Sequence, residues 1–318
     1  MPRNLRIVFF GTPDFAVESL RSLVEQRVDI AGVVTMPDKP AGRGHKLFQS
    51  PVKEFALQKG LKLFQPQNLK DPGFIEDLSS LKADLFIVIA FRMLPEVVWK
   101  MPPLGTFNLH ASLLPKYRGA APINWAIING EEETGVSTFF LKHEIDTGDI
   151  IDQKRIKILP EDNAGTIHDK LMSLGAQLTV DTVKRLEEGA VIARPQHDYN
   201  TNGAPSLAPK IFKDTCRINW NQSALQIHNL VRGLSPYPGA WTEIMFEDQS
   251  VVNCKILETE ISSTKSEKPG TVYIKDDNLY IDCEDISIKI LVLKPDGKKR
   301  LNAGDYLRGL RIRPIKAI

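Results

Sequence analysis

A chain of 318 residues with 42% hydrophobic and 25% charged content and a formal net charge of +2 has the make-up of a globular protein long enough for two domains. Its three cysteines, Cys216, Cys254 and Cys283, are odd in number and far apart, and its six histidines show no metal-binding spacing, so neither a disulfide framework nor a metal site is expected. No apolar run approaches the roughly 20 residues of a membrane span, and an apolar strand starts at residue 5, so no membrane segment, no targeting peptide and a cytoplasmic address are expected.

Residues 5–10 read as the first strand, and Gly11-Thr-Pro-Asp14 opens a helix with Pro13 in its first turn. Further strands are predicted at 29–36, 61–64, 83–91 (the unbroken run ADLFIVIAF), 106–110 and 135–141, with helical patterns between most of them. Alternating strands and helices predict an α/β fold with a mostly parallel sheet covered on both faces. Ligands in such sheets bind beyond the carboxyl ends of the strands. Gly11-Thr-Pro is not a G-x-G-x-x-G fingerprint, so NAD and FAD are not expected. Residues 193–205, rich in Pro, Asn and Gly, read as a linker. Beyond them, 223–232 reads as one helix and 240–246, 251–257, 270–274, 279–283 and 286–293 as short strands, with 262–268 a polar turn. That spacing predicts a small barrel or sandwich, the five-stranded oligonucleotide-binding type being one form. No heptad pattern is present, and a monomer is expected.

Charge is unevenly placed. Nine lysines and arginines lie between Lys289 and Ile318 against Asp296 and Asp305, so the rest of the chain is net acidic. A basic end on an acidic body fits a polyanion binder or a tail kept soluble by its charge. The segment 37–47 (PDKPAGRGHKL) sets Lys39, Arg43 and Lys46 against Asp38 around two glycines. It reads as a surface loop or as a loop that grips phosphates.

The chemistry concentrates in residues 105–122, GTFNLHASLLPKYRGAAP. Asn108 and His110, two apart at the end of a strand, project from one face. An amide donor beside a titratable imidazole can stabilise a developing oxyanion and move a proton. The proline-punctuated turn 112–122 follows directly, with backbone groups free to hold a ligand. Asp146-Thr-Gly-Asp149, read alone, is either a turn or a carboxylate aimed at the same strand ends.

Asn108-x-His110, Ser112-Leu-Leu-Pro115-x-Tyr-Arg-Gly119-Ala-x-Pro122 and Asp146-Thr-Gly-Asp149, in this order and spacing, resemble the folate-dependent formyltransferases. Phe10-Gly-Thr-Pro-Asp-Phe15 and the 37–47 segment are similar to the branch of that family that formylates methionine carried on initiator tRNA. The resemblance runs along essentially the whole chain. It implies a Rossmann-like formyltransferase domain over residues 1–192, a linker over 193–207 and a tRNA-binding, OB-like β-barrel over 208–318. The implied formyl donor is 10-formyltetrahydrofolate and the partner is methionyl initiator tRNA. Asn108 would donate to the oxyanion, and His110 would polarise the carbonyl and move a proton. Asp146 would orient His110 and accept the amine's proton. Ser112, Leu113, Leu114 and Pro115 would line the folate site, with residues 87–91 as an apolar wall. Lys39, Arg43 and Lys46 would contact the tRNA acceptor arm, with the basic C-terminal end supplying further contacts. Phe91-Arg92-Met93-Leu94-Pro95 departs from the family's Tyr-Gly turn, which leaves the shape of the pocket rim open. Formyltransferases acting on nucleotide-linked amino sugars or other small amines would share the same three residues and remain an alternative, as does a non-catalytic RNA binder.

Overall fold

The computed structural model describes residues 4–41, 46–199 and 206–318, without the side chains of residues 40, 41, 46 and 47. The chain forms two compact units, one of Met1–Gly119, Thr134–Ile156 and His168–Leu207, the other of Ala120–Glu133, Lys157–Ile167 and Ala208–Ile318. In chain order the elements are β1 (Arg6–Gly11), α1 (Asp14–Glu25), β2 (Asp29–Val34), β3 (Lys39–Ala41), β4 (Lys46–Phe48) and α2 (Pro51–Gln58). Next come β5 (Leu63–Phe64), α3 (Pro72–Ser80), β6 (Leu85–Ile89), α4 (Glu96–Trp99), β7 (Thr106–His110) and β8 (Arg118–Gly119). They are followed by α5 (Pro122–Ile128), β9 (Glu133–Phe140), β10 (Ile150–Lys157), α6 (Ala164–Glu187) and β11 (Leu207–Ala208).

The first unit is built on a sheet of order β10-β9-β7-β6-β1-β2-β5. The pairs β1–β2, β1–β6, β2–β5 and β6–β7 are parallel, and β7–β9 is antiparallel. The chain runs outward from β1 through β2 to β5 and returns to β6, on β1's other side. Strand order therefore reverses between β1 and β6, the place where such sheets open a crevice. Every residue of β6 is buried, as a strand covered on both faces requires. Phe86 and Val88 join Val8, Phe10, Phe74 and Leu78 on one side of the sheet. Burying each such side chain contributes about 1.5–3 kcal/mol. Helix starts follow local chemistry: Ser50 and Asp71 accept the N–H of Lys53 and Phe74, each ahead of a proline in the first turn. Pro13 stands one residue before α1, in the N-cap position.

The second unit continues with α7 (Ala224–Leu234), β12 (Ala240–Phe246), β13 (Val251–Lys265), β14 (Val272–Lys275), β15 (Asn278–Asp282), β16 (Ile286–Pro295), β17 (Leu301–Asn302), α8 (Ala303–Arg308) and β18 (Pro314–Ala317). Its sheet has the order β14-β15-β16-β13-β12-β18, with β17 on β16. Thr271 bridges Lys316, and the Ala317 N–H donates to the Gly270 carbonyl at 2.7 Å, so the two edges meet and the sheet is a nearly closed barrel. Ile227, Val231 and Leu234 turn one face of α7 into its core, and a Ser223–Gln226 capping box starts that helix.

One sequence expectation needs correction and one open choice is narrowed. Residues 262–265, read as part of a polar turn, lie in β13, which runs on as a polar strand paired with β16. Its apolar pattern stops at 257, but its hydrogen-bonding edge does not. Of the two readings left open for the basic C-terminal stretch, a free tail does not hold: it forms β16, β17, α8 and β18, and Ala317 is buried against the barrel core. All three cysteines are buried in this unit, and burial pushes the thiols of Cys254 and Cys283 up to about 12. Among the described residues no helix is long and apolar enough to cross a membrane.

His228, on α7, bonds Thr259 at 2.9 Å. Burial first, and Arg232 second, push its imidazole down to about 4. The unfolded chain, near pH 6.5 for a histidine, takes up this proton before the folded one does. Stability carried by neutral His228 is therefore present above pH 6.5 and lost as pH falls toward 4, by up to roughly 3 kcal/mol. Urea unfolding at pH 7 and pH 5 should show this loss for the native sequence and a smaller loss for His228→Gln.

Candidate active site

β7 ends at the site. Its central position in the sheet sets Asn108 opposite Val88 of β6 and Phe139 of β9, and His110 opposite Ser137. The His110 ring is only 8% exposed and meets Phe139 edge-on, 6.4 Å between ring centres. Its Nε2 lies 2.8 Å from the Tyr117 carbonyl. A carbonyl only accepts, so Nε2 carries the proton and Nδ1 is the atom left for chemistry. Nδ1 faces Asp146 Oδ2 at 3.9 Å, beyond direct hydrogen-bond reach. Tyr117, not Asp146, therefore fixes the orientation of the His110 ring. The half-buried Asn108 amide has no side-chain partner among the described residues, which leaves its N–H groups for a ligand.

Asp146 stands at φ +54, in the left-handed region that a side chain disfavours. Its Oδ2 accepts the Gly119 N–H at 3.0 Å. Gly148, two residues on, comes so close to β9 that a Cβ there would sit 1.6 Å from the Phe140 carbonyl oxygen. Gln196 closes the loop from the far side. Its Nε2 donates to the Asp146 and Gly148 carbonyls, both at 2.8 Å, and its Oε1 accepts from Arg118 Nε and Nη2 at 2.9 and 2.6 Å.

The turn after β7 is held from within. Ser112 is fully buried, its Oγ donating to the Lys116 carbonyl at 2.7 Å. Ser137 Oγ donates to the Ser112 carbonyl and accepts the Leu114 N–H, and Gln153 Nε2 donates to the Leu114 carbonyl. Leu114 and Pro115 are buried, and both backbone polar groups of Leu114 are satisfied inside the protein; Leu113 is partly exposed. The apolar wall also shifts: Ile87, Val88 and Ile89 are at most 4% exposed, so the surface offered beyond β6 is residues 90–93. There Met93 is 71% exposed, and Phe91 packs edge-on against Phe10. Arg92 shapes this rim by donating to the Pro66 and Gln67 carbonyls at 2.6 and 2.9 Å.

Of the basic residues expected to meet polyanions, Lys39 is exposed in β3, and the Lys46 backbone pairs with Ala41 across the β3–β4 ribbon. Arg43 lies outside the described residues. Asp38, at the foot of the ribbon, bonds Lys53 at 2.5 Å and Gln65 at 2.8 Å. Lys53 first, then Gln65, hold its carboxyl below the usual carboxylate range. Its charge is thus matched by Lys53 and does not offset Lys39. Among the described residues no group of three His, Cys, Asp or Glu side chains is arranged to hold a metal ion.

Sequence reasoning found the Asn108–His110 pair and the Asp146 loop. It missed the Tyr117 carbonyl, the Gly119 amide, Ser137, Gln153, Arg118 and Gln196. A mostly parallel sheet with an amide, an imidazole and a carboxylate at one strand end has the groups that acyl-group transfer needs, an oxyanion donor and a proton carrier. The chain belongs to the formyl transferase family: residues 5–183 match its "Formyl transferase" domain and residues 210–311 its "Formyl transferase, C-terminal domain".

Its relatives include the methionyl-tRNA formyltransferase of Bacteroides fragilis, 54% identical over 97% of this chain and 96% of that protein. That of Flavobacterium johnsoniae is 48% identical over 96% of each chain. Among solved structures, the N-formyltransferase of Helicobacter canadensis in complex with folinic acid and dTDP-3-aminofucose shares the fold with a TM-score of 0.66 at 21% identity, over 90% of this chain and 98% of that one.

Gly148→Ala is expected to push the Asp146 loop off β9. Urea unfolding should show a loss of about 1–3 kcal/mol, as overpacking costs, together with a fall in turnover.

Proposed function

We propose that this protein transfers the formyl group of 10-formyltetrahydrofolate to the α-amine of methionyl initiator tRNA, giving the N-formylmethionyl-tRNA that starts translation. The observation that carries the reaction is the meeting of Asn108, His110 and Asp146 at the end of β7, with the Asn108 amide unpartnered among the described residues. The substrate follows from the relatives: identity to methionyl-tRNA formyltransferases of 44–55% runs through both units. Formyl transfer joins the amine nitrogen to the formyl carbon, breaks that carbon's bond to the folate nitrogen and moves one proton from amine to folate. Asn108 donates to the oxyanion without changing charge. His110, its Nε2–H held by Tyr117, handles the proton at Nδ1. Asp146, anchored by the Gly119 N–H, faces Nδ1 and stabilises the positive charge that passes through the ring and the amine.

The folate donor is a flat, largely apolar ring with polar edges, and the exposed rim 90–93 beyond β6, with Met93, fits that chemistry. Leu113 and the edge of the Ser112–Pro115 turn border the same strand end. In this reading residues 1–192 carry the chemistry, 193–207 link, and 208–318 hold tRNA. Support for the last part is a row across the outer face of the barrel. Trp241 pairs with Lys255, Lys255 with Lys294, and Arg217 bridges to Trp241. Lys213 and Arg217 sit over the indole at 5.5 and 5.3 Å, and Glu243 offsets only Arg217. Cations around an aromatic face suit a phosphate backbone with unpaired bases. Lys39, Arg43 and Lys46 of the 37–47 segment grip the acceptor arm. The protein works as a monomer in the cytoplasm.

The deciding assay offers the purified protein 10-formyltetrahydrofolate with methionyl initiator tRNA and, separately, a nucleotide-linked amino sugar. Transfer to the tRNA alone is expected; transfer to the sugar alone would assign the protein to the other branch. Asn108→Ala should lower kcat about 10²–10³-fold, the cost of one oxyanion donor, and His110→Ala should abolish turnover while tRNA still binds. Arg43→Ala should reduce kcat/KM for charged tRNA. Replacing Lys213 and Lys294 with Ala should weaken tRNA binding and flatten its dependence on log salt by about one unit for each phosphate no longer neutralised; an unchanged slope would remove the barrel row from the interface.

A further inference from the structure

Asp146 is held in a backbone conformation that its own side chain opposes, and its carboxylate must face His110 Nδ1 from that conformation. Local bonds close the turn around it without touching its main chain: Thr147 Oγ1 donates to the Glu144 carbonyl at 3.0 Å, and the Phe140 N–H and Lys142 Nζ both bond Asp149. The bonds to the Asp146 and Gly148 carbonyls come from Gln196, fifty residues beyond Asp146, in the stretch whose composition reads as a linker. Gln196 is 4% exposed, and its amide is saturated. Both N–H groups are used on the Asp146 and Gly148 carbonyls, and both lone pairs of the oxygen are used by Arg118. The amide's orientation is unambiguous, because the reverse would set its oxygen against two carbonyls and its N–H groups against a guanidinium.

These bonds close a circuit. Arg118 precedes Gly119, whose N–H holds the Asp146 carboxylate, while the side chain of Arg118 holds Gln196, which holds the Asp146 main chain. We propose that Gln196 is a positioning residue for formyl transfer: it locks the Asp146 loop to the Arg118–Gly119 strand so that the carboxylate stays aimed at His110. The inference rests on the formyl-transfer reading for its kinetic readout and on geometry alone for its structural one. No other common side chain does both halves. Glutamate keeps Arg118 but sets a carboxylate oxygen against two carbonyls, asparagine is one methylene short, and methionine has the volume without the bonds.

The test is a double-mutant cycle with Gln196→Met and Asp146→Asn, the asparagine retaining an acceptor for Gly119. In the native background Gln196→Met should lower kcat about 10–100-fold, the range expected when a group that orients a functional side chain is removed, with KM for methionyl-tRNA changed less than about threefold. In the Asp146→Asn background the same change should cost less than about threefold, because the effect runs through the carboxylate. Equal losses in both backgrounds would mean a general structural role and overturn the proposal. Gln196→Glu, which keeps its volume and Arg118, should reproduce the loss of kcat; native turnover in that variant would also overturn it.

Hydrogen exchange of the Gly119 amide reads the same circuit without any substrate. It should quicken in Gln196→Met while the amides of β7 stay protected, and unchanged exchange would overturn the proposal. If the native protein formylates a different amine, the functional reading fails, and the cycle and the exchange measurement still decide the role of Gln196.

Discussion

A buried imidazole must be given a hydrogen-bond partner, and much of the first unit's site follows from how that is done. Leaving such a group unpaired costs about 1–3 kcal/mol, and the partner of His110 is a main-chain carbonyl seven residues later. For Tyr117 to reach it, the chain must leave β7, turn through Ser112–Pro115 and come back under the ring. Tyr117 takes φ +61 to do so, and its own N–H is secured by the Ser206 carbonyl at 2.6 Å. Ser112, Ser137 and Gln153 tie the turn down along the way. With Nε2 committed, Nδ1 is left facing Asp146. One side of the ring is structural and the other chemical.

This explains what the sequence revealed and what it hid. The alternation of strands and helices was legible because covered parallel strands are unbroken apolar runs, and β6 is one. Asn108 and His110 could be set on one face from strand geometry alone, since a spacing of two admits no other arrangement. Tyr117 was hidden because it acts through its backbone, and no side-chain pattern announces a carbonyl. Gln196 was hidden for a different reason. Its neighbours, Ala193-Arg-Pro before it and Asn200-Thr-Asn-Gly after it, have loop composition, and composition reports the average of a segment, not its one buried residue. The continuation of β13 beyond 257 was missed because half its pairing edge carries polar side chains. The basic C-terminal stretch stayed open between a polyanion-binding surface and a tail because charge says where water is, not whether the backbone between the charges is paired.

The two units solve different electrostatic problems. At the end of β7 the cast is small and local: an unpartnered amide, and an imidazole and one carboxylate each tied to the main chain, where low solvent access makes short-range bonds count. On the barrel's outer face the cations are spread along strands and only partly matched by acids, an arrangement whose reach extends about a Debye length into solvent. Asp38 belongs to neither. Bound by Lys53 and Gln65, it serves as a fixed post at the foot of the β3–β4 ribbon.

Within the second unit, α5 lies against α7 so closely that the Gly233 Cα has no room for a side chain: a Cβ there would sit 2.5 Å from Ile128 Cγ1, and Asn124 Nδ2 donates to the Gly233 carbonyl at 2.7 Å. These residues stand more than a hundred positions apart, on either side of the Pro-rich stretch at 193–205. Recombination between relatives at that stretch would therefore join an α5 from one lineage to an α7 from another. A side chain gained at 233 would meet the Ile128 side chain at 2.5 Å and the Asn124 and Ile128 main chain at 3.0 and 3.1 Å, so such a join keeps its packing only where both lineages retain glycine at 233.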